Sequence, residues 1–297
     1  MIDLHTHTDQ SDGSDTPARL VEIAATQSLE ALAITDHDTL AGYDLAAPAA
    51  REAGIELICA IELSTRVERP PGAPRSPSIH LLGYFPDREP AREFRDWVSH
   101  LQRSRHKRNV SLVDKLQSLG IDISLEEVRK LGRTLTGRPH FARLLLAKGY
   151  VRSTQEAFDL YLADNAKAAV EREEPTVWEG VQRIAAAGGL PVLAHPVRLA
   201  AEELAGLDRF VERLIDVGLA GLEVFHSEHS AADIDRFLRI AQRFSLMITG
   251  GSDYHGDNKP GVSLATGRTG NVSLPYRLVE EMRTHAERLA RMLIDDI

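Results

Sequence analysis

The chain has 297 residues and a mass of 32.8 kDa, enough for one large α/β barrel or two ordinary domains with well-buried cores. Its 43% apolar and 27% charged residues, with no long low-complexity tract, exclude the disordered and fibrous classes. A net charge of −9 excludes broad binding of duplex DNA, whose affinity comes from neutralising many phosphates, and no stretch reaches the ~18 apolar residues of a membrane span.

In chain order, the first hundred residues alternate β-type runs with helical ones. Met1 to His5 reads as a strand, and Thr16-Pro17 supplies an N-cap and first-turn proline for a helix to about Ser28. A strand at Ala31 to Thr35 leads through Asp36-His37-Asp38 into a helix over about Tyr43 to Ala53. Next come a strand from Ile55 to Ile61, ending at Glu62, an exposed proline-rich loop over residues 68–78, and an apolar run from Ile79 to Phe85. The single cysteine, Cys59, falls in an apolar run and is expected in the core of a protein from a reducing compartment. With no basic or apolar leader after Met1, the expected location is the cytoplasm.

The pattern then changes. Residues 96–175 show helical periodicity and no buried strand, so they are expected to form an inserted helical domain between barrel segments 1–95 and 176–297. Within the insertion, the run Arg103, Arg105, His106, Lys107, Arg108 reads either as a solvated helix face or as a local cationic site. The βα rhythm returns with strands at Leu190 to Ala194, Leu219 to Phe225 and Leu246 to Thr249, separated by helices, and Ser273 is expected to open the final helix. Repeated βα units with parallel strands make a barrel or a doubly wound sheet, and barrel enzymes gather their chemistry at the C-terminal strand ends.

Six strand ends carry such chemistry: His5, Asp36-His37, Glu62, His195, His226 and Asp253-His255. A lone histidine or carboxylate at a strand end is usually a hydrogen-bonded structural residue or a helix cap. Repetition at one rim instead points to a metal site, where nitrogens and oxygens must meet around an ion. His5 and His7 are two residues apart, so on an extended strand both point to one side and can chelate a single ion. All the donors are N or O, which suits catalytic Mn²⁺, Zn²⁺, Fe²⁺ or Mg²⁺ rather than a closed structural zinc site. His229, on the loop after His226, reads as an ordinary surface residue.

The motifs Asp3-Leu4-His5-Thr6-His7, Ser11-Asp12-Gly13, Thr35-Asp36-His37-Asp38, Ile61-Glu62, His80, Ala194-His195-Pro196 and Gly251-Ser252-Asp253-Tyr254-His255, in this order, resemble the polymerase and histidinol phosphatase (PHP) family. The insertion's Gly137-Arg138-Pro139-His140 is similar to an element of its nucleoside-3',5'-bisphosphate phosphatases and 5'-3' exoribonucleases. The resemblance implies a distorted seven-stranded (β/α) TIM-like barrel holding three divalent ions, manganese foremost. His5, His7, Glu62 and Asp253 would hold the first. Glu62 would bridge to a second ion held with His80 and His195, while Asp12, His37 and His255 would hold the third. Asp12 departs from relatives that carry histidine there.

The chemistry implied is attack on phosphorus by a metal-bound hydroxide. Six charges from three divalent ions are nearly balanced by Asp12, Glu62, Asp253, a hydroxide and a phosphate dianion, which favours phosphoesters over neutral amides. The expected substrate is a small phosphorylated molecule, a nucleotide bisphosphate or a short 5'-phosphorylated RNA end. Arg138, assisted by His140, is expected on a second phosphate, with Lys167 and Arg172 as weaker candidates. His226 is a candidate for leaving-group protonation, phosphate contact or support of a ligand. Asp36 and Asp38 are expected to orient ligands or cap a helix. Another phosphatase of the same family, such as one acting on histidinol phosphate, and a metal-stabilised module without catalysis are the alternatives. Oligomeric state is not legible in the sequence.

Overall fold

The structure is a computed structural model that describes residues 1–69, 77–132 and 135–295; most of the proline-rich loop, residues 70–76, lies outside the described residues. Seven strands form one sheet in the order of the chain: β1 (Ile2–Thr6), β2 (Ala31–Ile34), β3 (Glu56–Thr65), β4 (Ile79–Phe85), β5 (Leu190–Leu193), β6 (Gly221–His226) and β7 (Met247–Gly251). The sheet curls until its edges meet. Asp253 N donates to His5 O at 2.8 Å and His7 N to Tyr254 O at 2.8 Å, so the seam between β7 and β1 is drawn together beside the residues of interest. Gly251 permits that approach, since a Cβ there would stand 2.4 Å from the Cβ and N of His5.

Not every strand is parallel. β4 runs antiparallel to both β3 and β5, with Ser64 opposite His80 and Glu62 opposite Leu82. This is the distortion of the barrel, and the reversal answers a puzzle in the sequence. His80 lies near the beginning of its run, and because that strand points the other way, its beginning lies at the rim where its neighbours end.

Helices α1 (Pro17–Thr26) and α2 (Ala41–Ala53) follow the first two strands. Thr16 caps α1 by accepting from Arg19 N. Between β4 and β5 lie α3 (Arg92–Ser118), α4 (Leu125–Leu131), α5 (Arg138–Ala147), α6 (Thr154–Ala157), a π-helical turn at Phe158–Leu162, and α7 (Val177–Ala186). The remaining helices are α8 (Ala201–Ala205), α9 (Leu207–Ile215), α10 (Ala231–Arg243) and α11 (Arg277–Asp295). The last starts four residues beyond Ser273, because Leu274 O is taken up by Ile2 N at the seam.

Alternation along β3 and β4 sorts their side chains into two cores. Ile61, Leu63, Leu81 and Phe85 pack outward against α3 and α7. Ile58, Ala60, Leu82 and Tyr84 join Ile2, Leu4 and residues of α11 in a second cluster. A third core, including Leu112, Leu116, Phe141 and Leu145, belongs to the helices between β4 and β5. The 27-residue α3 takes part in two of them: Phe94, Val98 and Leu101 lie in the outer barrel core, Leu112, Val113 and Leu116 in the third.

Where α3 crosses the barrel, Asp38 is the fastening. Its Oδ1 accepts from Ser64 N at 2.7 Å, and its Oδ2 receives the guanidiniums of Arg105, from α3, and Arg172. Burial alone would raise this carboxyl's pKa, but the two arginines overcome it and hold it well below the ordinary range. A depressed folded-state pKa stabilises above the unfolded-state value and is lost as pH falls through the folded one. Asp38→Asn is therefore expected to cost about 3 kcal/mol at pH 7, since it leaves the buried Arg105 guanidinium without its counter-charge. It should also flatten the acid limb of the stability curve. Denaturant titrations from pH 7 to 2 check this, and equal slopes for the two proteins would refute it.

Candidate metal centre

At the rim, Glu62 projects from β3 with 1% of its surface exposed and is met by five imidazoles. Oε2 lies 3.0 Å from His7 Nε2, 3.2 Å from His37 Nδ1 and 3.3 Å from His5 Nε2. Oε1 lies 2.7 Å from His80 Nδ1 and 2.8 Å from His195 Nε2. A second carboxylate, Asp253, places Oδ1 3.4 Å from His7 Nε2, 3.4 Å from His255 Nδ1 and 3.6 Å from His5 Nε2. Beside them Asp12 lies 3.2 Å from His255 Nε2 and 3.7 Å from His37 Nε2. All nine residues singled out in the sequence as ligands are thus brought to one mouth.

The local backbone is built for this. His195 and Asp253, each two residues past the end of a strand, have φ of 23° and 55°, a left-handed region that side-chain-bearing residues avoid and that is costly to hold. Strain of this kind persists where the surroundings over-determine it. At Asp253 the hydrogen bond from its N to His5 O does so, and at His195 Glu223 of β6: its Oε2 accepts from His195 N at 2.6 Å while its Oε1 meets His5 Nδ1 at 2.8 Å. Glu223 has no exposure, and although burial opposes ionisation, His5 draws its pKa down to about 2.

The donor set fits divalent cations. His7 Nε2 and His37 Nδ1 are buried and make no well-aligned hydrogen bond, although each stands close to a carboxylate oxygen. Five imidazoles also exceed what one carboxylate's lone pairs can accept. Desolvation brings His37 down to about 3, against the pull of Glu62 and Asp12, and desolvation with Arg198 brings His195 to about 3, so both rings are neutral and offer lone pairs. His7 goes the other way: against desolvation, Asp253 and Glu62 push it up to about 10, a measure of how strongly the acidic centre demands positive charge. Among the described residues five His/Asp/Glu groupings have donors close enough to share an ion: His7, Asp12, His37 and His255; His5, His7 and Asp253; His5, Glu62 and His195; His37, Glu62 and His80; and His5, Glu223 and His226.

Other residues fall differently. Asp36 accepts from Thr8 N, Thr8 Oγ1 and Ser11 Oγ, which shapes the loop bearing Asp12. His226 is wholly buried; Glu228 N donates to its Nδ1, leaving Nε2–H to donate to Asp253 Oδ2 at 3.1 Å. Arg138 and His140 line a cavity that opens from the mouth beneath the helical segment. Arg138 donates to Asp164 Oδ1 at 2.9 Å, and His140 Nδ1 accepts from Gly137 N. Lys167 sits over the ring of Tyr161, and Arg172 pairs with Asp38 and Glu174. His229 is corrected from a surface residue: it is 3% exposed, bonded through Nδ1 to Val224 O at 2.8 Å.

A family description, the PHP domain, matches residues 3–166. The chain belongs to the PHP family. This PHP protein is 34% identical to a 5'-3' exoribonuclease of Haemophilus influenzae over 85% of its own length and 89% of the relative's. It is 33% identical to a phosphoribosyl 1,2-cyclic phosphate 1,2-diphosphodiesterase of Eggerthella lenta, over 86% and 94%. A 3',5'-nucleoside bisphosphate phosphatase of Chromobacterium violaceum shares 30% over 88% and 89%. A structure from Bifidobacterium adolescentis, assigned as a metal-dependent phosphoesterase, superposes with a TM-score of 0.79 at 31% identity, covering 96% of each chain. The PHP chain is accordingly a hydrolytic, metal-dependent phosphoesterase with a nearly closed seven-stranded barrel, and no described helix is long and apolar enough to cross a membrane.

The sequence reading gave no role to Glu223, Arg198 or Lys259. Arg198 Nη2 and Lys259 Nζ approach Asp253 Oδ2 at 2.8 and 2.6 Å. Glu223 had a signal, an acid inside the apolar strand Gly221-Leu222-Glu223-Val224-Phe225; the two cations had none. Glu223→Gln is expected to weaken Mn²⁺ binding to the chelator-treated PHP protein about 10- to 100-fold, the usual effect of losing a ligand's orienting partner. Calorimetric titration reads it, and an unchanged affinity would remove Glu223 from the site.

Proposed function

We propose that this chain hydrolyses a phosphate ester on a nucleotide, with a nucleoside 3',5'-bisphosphate or a short 5'-phosphorylated RNA as substrate. One observation carries the reading: the Glu62 cluster opens directly into a cavity walled by arginines of the helical segment. A substrate held there would present one phosphate to the cluster and another to the arginines. The three relatives support it: all are named for phosphoester hydrolysis on ribose-containing molecules, and two of the names describe a ribose bearing phosphate at two positions.

We further propose three divalent ions, manganese foremost, held by His5, His7, Glu62 and Asp253; by Glu62, His80 and His195; and by Asp12, His37 and His255. Such ions supply Lewis acidity that stabilises charge on phosphoryl oxygens and makes water a nucleophile near neutral pH. The protein's own share is placement. Glu62 fixes five imidazoles in one frame, Glu223 locks His5 and the backbone at His195, and His226 holds Asp253 rather than reaching the substrate. Asp12, with carboxylate in place of imidazole, adds negative charge at the outer edge of the cluster.

Residues 96–175 act in this reading as the specificity element. Arg138 faces the cavity with its guanidinium already oriented by Asp164 and the carbonyl of Leu162, a preorganised donor for phosphate. His140, whose pKa desolvation lowers, shapes the wall beside it.

With Mn²⁺, adenosine 3',5'-bisphosphate or a 5'-phosphorylated oligoribonucleotide is expected to show a higher kcat/KM than histidinol phosphate. Arg138→Ala should shrink the preference for the bisphosphate over p-nitrophenyl phosphate by roughly tenfold, the size of one charge-assisted hydrogen bond. A higher kcat/KM for histidinol phosphate would replace the nucleotide reading with the other phosphatase of the family. Faster turnover of phosphoribosyl 1,2-cyclic phosphate would favour the cyclic diester.

A further inference from the structure

The basic run of α3 divides by burial. Arg103, His106 and Lys107 are exposed, whereas Arg105 and Arg108 turn inward and line the arginine-walled cavity. That cavity lies on one side of the Glu62 cluster, and the cluster has a second opening. A further cavity of about 360 Å³ is lined by Asp12, His37 and His255 of the cluster and, beyond them, by Arg143, Asn258 and Lys259. Its volume falls in the range of small-molecule sites, which begins at roughly 300 Å³. Thr154, also in its wall, is exposed, so the cavity reaches the surface. Pro139, His140 and Phe158 line both cavities and stand between them.

A phosphate monoester makes no use of this second opening. Its phosphorus carries one organic substituent, and in the reading above the arginine-walled cavity already receives it. A phosphodiester carries two. With one nucleotide in the arginine-walled cavity and phosphorus at the cluster, the second substituent must leave the cluster on another side, and the further cavity provides the room.

The wall of that cavity has the chemistry of a nucleotide site. Arg198 and Lys259, which both border it, are already engaged by Asp253 and Glu228. Arg143 is not. This α5 residue is half-buried, and among the described residues no carboxylate pairs with it. It offers an unanswered guanidinium, the donor that suits a phosphate oxygen. Phe158 supplies an aromatic surface. It opens the π-helical turn, a rare geometry that recurs at functional sites, and packs against the third core while bordering the cavity. Such a ring gives a base a stacking platform that tolerates any sequence.

We propose that this second cavity binds the nucleotide on the far side of the scissile phosphate, with Arg143 on the continuing backbone and Phe158 against the base. The inference rests on the phosphoesterase reading above and deepens it: the site is built for a single strand of RNA, of which the bisphosphate is the truncated form. Water adds to phosphorus and the P–O3' bond breaks. One water proton passes to the departing 3'-oxygen, the other to solvent, and the phosphate remains on the 5'-oxygen of the nucleotide in the second cavity. The shortened strand therefore carries a new 5'-phosphate, the group that the arginine-walled cavity accepts in the next round.

The test sets wild type against Arg143→Ala and Phe158→Leu, with Mn²⁺, on 5'-phosphorylated triadenylate and adenosine 3',5'-bisphosphate. Wild type is expected to release AMP from the 5' end of the trinucleotide. The kcat/KM ratio of trinucleotide to bisphosphate should fall about tenfold in Arg143→Ala, through loss of a charged contact to the backbone. In Phe158→Leu, which keeps the core filled, it should fall about fivefold or more, through loss of stacking. The ratio is blind to any loss of folded protein, since both rates scale with it. An unchanged ratio in either variant, or a wild type that hydrolyses the bisphosphate and leaves the trinucleotide intact, overturns the proposal. If wild type turns over neither compound, the functional reading falls and binding decides the cavity. On chelator-treated protein, 5'-phosphorylated triadenylate labelled with fluorescein at its 3' end should then bind Arg143→Ala about tenfold more weakly than wild type by anisotropy, and equal affinity would overturn the site.

Discussion

A carboxylate with 1% exposure survives ionised only inside a shell of positive charge or its equivalent, and the mouth of this barrel is organised around that requirement at Glu62. Burial alone would push its proton back on; His37, His80 and His5 reverse the sign. The five imidazoles come from β1, its following loop, the loop after β2, the start of β4 and the turn after β5, so no single stretch of chain could satisfy Glu62. Barrel closure and site assembly are consequently one event. The seam hydrogen bonds from Asp253 N to His5 O and from His7 N to Tyr254 O are also what bring the two carboxylates to the same imidazoles.

Much of this was legible because strand ends are marked twice, once by a change in apolar periodicity and once by a polar residue of unusual chemistry. His5, His37, Glu62, His195 and Asp253 each stand where an apolar run gives way, and each reaches the mouth. The reversed direction of β4 was hidden, since an apolar run such as Ile79 to Phe85 reads the same in either direction. Only partners decide it. For that reason His80 had support from family likeness and none from strand reasoning until Ser64 was seen opposite it.

Burial of charge was the other blind spot. Arg103, Arg105, His106, Lys107 and Arg108 form one basic block in sequence, and helical periodicity does not tell which members turn inward when the opposing surface is itself polar. Asp38 supplies that surface for Arg105 from the loop after β2. Glu223 shares the difficulty: it acts through His5 and His195, both remote in sequence, and the meaning of a charged residue inside the fold lies in its partners. Asp36 and Asp38 flank the same histidine yet serve opposite neighbours, one the loop after β1, the other the helix crossing the mouth.

The continuity of α3 has a metric consequence. One unbroken helix is rooted in the barrel's outer core at Phe94 and in the separate helical core at Leu116, so the two bodies it joins cannot slide along each other without bending it. Rise per residue in an α-helix is constant at about 1.5 Å, so α3 sets a fixed distance between its root in the barrel's outer core and its root in the helical core. Lengthening or shortening that helix by a residue would rotate its inward-facing positions by about 100° as well as shift them, which explains how a long surface-crossing helix can be held to a fixed register by what passes beneath it.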